Sequence, residues 1–127
     1  MISFEYDRSY APPMPVARIR IRSLENPDKS VVLDAIIDSG ADTTFIPVRT
    51  LQELGIRKPV REAFLYGIGG FSYSVNVYMI KIEIGPHEFF GTRVVGDEQN
   101  RAILGRNVIN QLLLTLNGLA NTLQISA

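Results

Sequence analysis

The chain has 127 residues, 46% of them hydrophobic and 20% charged, with thirteen Lys+Arg against thirteen Asp+Glu. That length predicts a single domain over residues 1–127 with a core of its own, and the composition excludes wholesale disorder and low-complexity structure. A net charge of zero supplies no basic surface for a phosphate backbone, so nucleic acid is not an expected partner.

Residues 1–8 read as a strand, and Ala11-Pro12-Pro13-Met14-Pro15 ends it, because proline fixes φ and has no amide to donate. Val16 to Arg22 alternates apolar residues with Arg18, Arg20 and Arg22, the period of a half-buried strand. Glu25 to Ser30 is a turn cluster, and Val31 to Ile37 returns as the second strand of a hairpin. Thr43 to Ile46 is a short strand. Pro47 then opens a short helix, Val48 to Leu54, which Gly55 stops. Arg61 to Leu65 and Ser72 to Ile84 read as strands joined by the glycine-rich tip Tyr66-Gly67-Ile68-Gly69-Gly70. Glu88 to Val95 is another strand. Asn107 reads as the N-cap of a helix running to Leu112 or Leu113. Leu114 to Leu116 and Ala120 to Ile125 flank Asn117-Gly118, which predicts a closing hairpin with a type I′ turn. Many short strands, two short helices and frequent Gly and Pro turns predict an all-β, closed-barrel domain.

Residue types narrow the chemistry. There is no Cys, which excludes a thiol nucleophile, a thiolate metal site and a disulfide framework. The one histidine, His87, sits in the turn-like Gly85-Pro86-His87-Glu88, and no GxSxG elbow exists to serve with it. It reads as a surface-turn residue, and neither a metal site nor a serine triad is expected. No apolar run reaches the length of a membrane-spanning helix, and the charged N-terminus is unlike a signal peptide. No membrane partner is expected, and the location expected is cytoplasmic or otherwise intracellular, in solution.

Three segments carry the functional information. In Asp38-Ser39-Gly40-Ala41-Asp42 an acid ends an apolar strand, followed by a small hydroxyl residue and glycine. Burying a carboxylate is costly unless something bonds it, and glycine lets the backbone approach closely. Alone, this triplet also fits an ordinary turn after a strand. The second segment is the tip Gly67-Ile68-Gly69-Gly70, and the third is Ala102-Ile103-Leu104-Gly105-Arg106-Asn107. Each reads alone as a flexible tip and a strand-to-helix junction. A dinucleotide-type GxGxxG is excluded, because Ser72 stands where its last glycine belongs and no helix follows.

In this order the three segments resemble the retropepsins, the retroviral-type aspartic proteases, over roughly residues 16–117. Gly91-Thr92-Arg93-Val94-Val95-Gly96 and Thr115-Leu116-Asn117 also have counterparts there. The resemblance implies a retropepsin-like barrel with a β-hairpin flap, working as a homodimer on a peptide or protein substrate without metal or organic cofactor. It implies Asp38 as the catalytic aspartate. Ser39 would lock the two active-site loops across the dimer, and Gly40 would offer its carbonyl to the substrate. Asp42 would contact the substrate backbone and pair with Arg106. A plain structural ion pair between those two remains the alternative reading. Ile68 would present its N–H at the flap tip, with Gly67 and Gly69 giving mobility. Ala41, Ile46 and Ile103 are candidates for apolar cleft walls, or for ordinary core packing.

The sequence also departs from the family. Ser39 replaces the commoner Thr, and Tyr66 stands where the best-known flap has a further glycine. The segment before Pro12 and the ten residues after Asn117 predict a dimer sheet built differently from the interleaved termini of the retroviral enzymes, with Leu119, Leu123 and Ile125 contributing. A peptide-binding or dimerisation module on the same fold, without catalysis, is the second reading.

Overall fold

The computed structural model describes residues 1–126. Strand β1 (Ile2–Glu5) turns Ile2 and Phe4 toward the core and Ser3 and Glu5 toward solvent. A loop braced by an Asp7–Met14 bridge leads into β2 (Val16–Arg22). There Ala17, Ile19 and Ile21 are buried, while Arg18 and Arg20 face out, as the alternation predicts. β2 and β3 (Ser30–Ile37) form the expected hairpin, in register from Val16↔Ile36 to Arg22↔Ser30.

β4 (Thr44–Pro47) passes directly into helix α1 (Val48–Glu53). Pro47 occupies the N-cap with φ −54 rather than the first turn. Gly55 ends the helix at φ +74, a value only glycine adopts at little cost. β5 (Arg61–Tyr66) and β6 (Ser72–Ile84) make the long hairpin, and β7 (His87–Asp97) lies antiparallel to β6. β8 (Ile103–Leu104), helix α2 (Arg106–Ile109), β9 (Leu113–Asn117) and β10 (Thr122–Ser126) complete the chain.

Seven strands form one sheet in the order β2-β3-β8-β4-β7-β6-β5. β2 also pairs with β6 from Arg20↔Glu83 to Arg22↔Lys81, which closes the sheet into a barrel. Ile19, Ile21, Ile46, Ile80, Ile82 and Leu104 fill it. A second sheet, β1-β10-β9, adds the fully buried Leu123 and Ile125 to the same core. The all-β barrel with short helices and a projecting hairpin is therefore the observed architecture. Outside, Glu83 of β6 joins Arg22 of β2 at 3.0 Å across the closing seam, and Lys81 of its own strand at 3.4 Å.

The structure corrects four expectations. The first strand is Ile2–Glu5, shorter than residues 1–8. α2 spans only Arg106–Ile109, and its N-cap is Gly105, with no side-chain cap. Asn107 lies inside the helix because its side chain serves elsewhere, as described below. Asn117 pairs with Thr122, so the closing hairpin has a four-residue loop rather than a two-residue type I′ turn. The Asn117 Oδ1 accepts the Ala120 N–H at 3.1 Å, and Asn121 takes φ +53. Finally, Leu123 and Ile125 face their own core and are not available to a partner, whereas Leu119 is fully exposed.

Candidate active site

Asp38 stands just past the end of β3, where Ile36 and Ile37 pair with β8. Its N–H donates to the Leu104 carbonyl at 3.1 Å, and the Ile37 N–H donates to the Pro15 carbonyl at 3.2 Å. The strand end is thus held from both sides before it turns. The half-buried Asp38 carboxylate accepts the Gly40 N–H through Oδ1 at 2.9 Å. A Cβ on residue 40 would stand 3.1 Å from that oxygen, so glycine gives the carboxylate room. The Ala41 N–H donates back to the Asp38 carbonyl at 3.2 Å and completes a tight turn. Ser39, Gly40 and Asp42 are exposed.

The junction between β8 and α2 braces this loop from behind. The Arg106 N–H donates to the Ala41 carbonyl at 2.8 Å, and its guanidinium donates to the Ser39 carbonyl at 2.7 Å. Gly105 lies so close to Thr43 that a Cβ there would collide with the Thr43 carbonyl. The third motif is therefore glycine because two backbones cross without a side chain between them. The Gly105 N–H donates to the wholly buried Thr44 hydroxyl at 3.1 Å. That hydroxyl donates to Asn107 Oδ1 at 2.8 Å, and Asn107 Nδ2 donates to the Arg93 carbonyl at 2.9 Å. Buried polar groups are satisfied in series, which makes the brace rigid.

The Asp42–Arg106 pair is not formed in this chain. Arg106 points to the Ser39 carbonyl, and among the described residues no ion pair involves Asp42. Ile46 is wholly buried in the core and does not form a cleft wall. Ala41 and Ile103 are half-buried.

The glycine-rich tip closes the β5–β6 hairpin. The Gly67 N–H donates to the Phe71 carbonyl at 2.8 Å, and Gly69 and Gly70 take φ +93 and +80. Of the expected mobile pair Gly67 and Gly69, Gly69 adopts the glycine conformation, and Gly70 takes the place of Gly67 beside it. Ile68 at the tip and its neighbours Tyr66 and Phe71 are exposed. Beneath the hairpin, a cavity of about 670 Å³ is lined by Phe45, Leu65, Tyr73, Val95, Asp97 and Arg101. The buried Asp97 carboxylate binds Arg101 at 3.3 Å and raises the pKa of its guanidinium. Asp38 does not line this cavity.

Sequence reasoning missed Thr44, the second role of Asn107, and the Phe45–Tyr73 lining. Thr44 carries no signal, because threonine is ordinary in a strand. Asn107 carries an ambiguous one, since the polar side chain that caps helices also ties strands together.

The retroviral aspartyl protease family model matches residues 11–117. That span runs from the loop before β2 to the end of β9 and contains the Asp38 turn, the hairpin tip and the Gly105 junction. Matched over most of its length, the chain belongs to the retroviral aspartyl protease family, whose general activity is aspartic proteolysis.

Proposed function

We propose that the protein is an aspartic endopeptidase, a single-domain protomer that works as a symmetric homodimer on peptide bonds in extended, largely apolar segments. The observation that carries this reading is the Asp38 carboxylate, fixed by the Gly40 N–H in a loop that Gly105 and Arg106 brace. Aspartic proteolysis takes two carboxylates sharing one proton, because two so close do not both ionise. This chain has one Asp-Ser-Gly, so the second aspartate comes from a second copy, with both Asp38 residues at the two-fold axis.

In this mechanism the ionised carboxylate takes a proton from water as the water oxygen attacks the scissile carbonyl carbon. The protonated carboxyl gives its proton to the carbonyl oxygen, and a tetrahedral gem-diol results. Its collapse breaks the C–N bond, and the amine leaves with a proton from the dyad. The titration belongs to the pair and not to either aspartate. Ser39 joins the two loops, and Gly40 and Asp42 hold the substrate backbone. Asp42 is exposed and, among the described residues, in no ion pair, which suits that task. Ile68 presents its N–H from the flap, with Gly67 and Gly69 in the closing tip, and Phe45, Leu65 and Tyr73 offer apolar surface beneath it. The reading uses no metal and no cofactor.

The test is cleavage of a diverse peptide mixture from about pH 3.5 to 7, read by mass spectrometry, with Asp38→Asn in parallel. The expected result is cleavage by the natural protein and a loss of about a hundredfold or more in the variant. Equal cleavage by both sinks the mechanism. Peptide binding by a folded dimer with no turnover at any pH supports the non-catalytic module instead.

A further inference from the structure

The cavity of about 670 Å³ beneath the β5–β6 hairpin has an apolar floor and a charged rim. Phe45, Leu65 and Val95, each buried or half-buried, make the floor. Glu62, Asp97, Glu98 and Arg101 supply the charge. Three carboxylates thus stand against one guanidinium, in a chain whose net charge is zero.

The guanidinium is already engaged. The Arg101 N–H donates to Asp97 Oδ2 at 2.7 Å, and its side chain donates to both Asp97 oxygens at 3.3 Å. Asp97 is only 7% exposed, so the two form a closed pair within the wall. Glu62 and Glu98 are left over. Glu62 lies on β5 of the hairpin, and Glu98 lies on the loop after β7, so each wall of the cavity carries one. Both are exposed, and among the described residues neither is in an ion pair.

We propose that this cavity selects a basic substrate side chain, Lys or Arg, and that Glu62 and Glu98 determine the choice. An apolar side chain would gain the floor but strip water from two carboxylates without bonding them. An acidic one would meet like charge. A Lys or Arg side chain fits both parts, because its methylene stem packs on apolar surface while its charged head stays at the rim. Asp38 does not line the cavity, so the selected residue is not one that flanks the scissile bond. The substrate is then apolar at the bond and basic at one fixed position away from it. That a peptide is the occupant rests on the proteolytic reading; the preference for positive charge rests on the cavity itself.

A pool of short peptides tests the pocket. Each is apolar at the centre and carries Lys, Arg, norleucine or Glu at one outer position in turn. Cleavage by the natural protein is read by mass spectrometry. Binding to the Asp38→Asn variant is read by competition with a fluorescent member of the pool. At one fixed position Lys and Arg are expected to be favoured over norleucine about threefold or more in both readouts, with Glu disfavoured. The double variant Glu62→Gln, Glu98→Gln is expected to bring that ratio to about one, and Glu62→Lys with Glu98→Lys to turn the preference toward Glu. A ratio that neither double variant moves overturns the pocket. Cleavage with Lys and norleucine treated alike at every position sinks the pocket and keeps the protease. A preference for Lys in binding, with no cleavage by the natural protein at any pH, keeps the pocket and sinks the protease. A pool that is neither bound nor cleaved overturns both.

Discussion

The Arg106 guanidinium donates to the Ser39 carbonyl at 2.7 Å, across 67 positions of sequence. This bond and the Arg106 N–H on Ala41 hold both ends of the turn that presents Asp38. Arg106→Lys keeps the charge but loses the guanidinium's reach and planar fork. The expected outcome is a fall in kcat of roughly ten- to a hundredfold, from a misplaced carboxylate, with about 1 kcal/mol lost in stability. Steady-state kinetics and urea unfolding on the same preparation separate the two effects. A large stability loss with kcat intact would assign Arg106 a structural role only.

Gly105→Ala puts a methyl group into the Thr43 carbonyl, so one of the two backbones must move. Overpacking of this kind costs about 1–3 kcal/mol. The displaced backbone also carries the Arg106 bonds, so activity falls with stability. The urea midpoint is the primary measurement, and an unshifted midpoint would show that the junction yields freely.

The flap behaves in the opposite way. A Cβ on Gly70 meets nothing within 4 Å, so Gly70→Ala is strained only through its φ of +80. Held in place, that strain would cost about 1–2 kcal/mol, but an exposed tip outside the core relieves most of it by changing its own conformation. Turnover is expected to drop several-fold while the urea midpoint barely moves, because the tip no longer closes in the same geometry. Peptide-cleavage rates and unfolding curves for the variant check both halves.

Glu83 has its carboxyl held below the ordinary value of 4.5, first by the hydrogen bond from Arg22 and then by Lys81. A lowered folded-state pKa contributes stability above the unfolded value and loses it as pH falls through the folded one. Glu83→Gln is therefore expected to be less stable than the natural protein at neutral pH. Its urea midpoint should also decline less steeply below about pH 4.5. The seam between β2 and β6 is thus at its weakest in the acidic range used to assay such an enzyme. Parallel curves for variant and natural protein would remove Glu83 from the acid response.

Local pattern exposed the hairpins. The Arg alternation of β2, the turn residues before β3 and the glycine tip between β5 and β6 each determine their structure within a few residues. The Asp38 turn was legible for the same reason, since its bonds to Gly40 and Ala41 are near neighbours. Partnerships between distant residues were not. Nothing around Ile2 announces that it pairs with Ile125, and nothing around Thr44 announces the Gly105 amide. Asn107 reads as a cap because local chemistry favours one, while the structure uses it to join Thr44 to Arg93. The Asp42–Arg106 pair failed similarly, because the Ser39 carbonyl competed successfully for the guanidinium.

The pairing of β1 with β10 also sets a timetable. During synthesis β1 emerges early and has no partner of its own until residues 122–126 have been made. β9 likewise has no ladder to lean on before then. Such distant pairings close late, because the chain between them must be ordered first. The small sheet therefore takes shape after the barrel, whose strands are complete by Leu104.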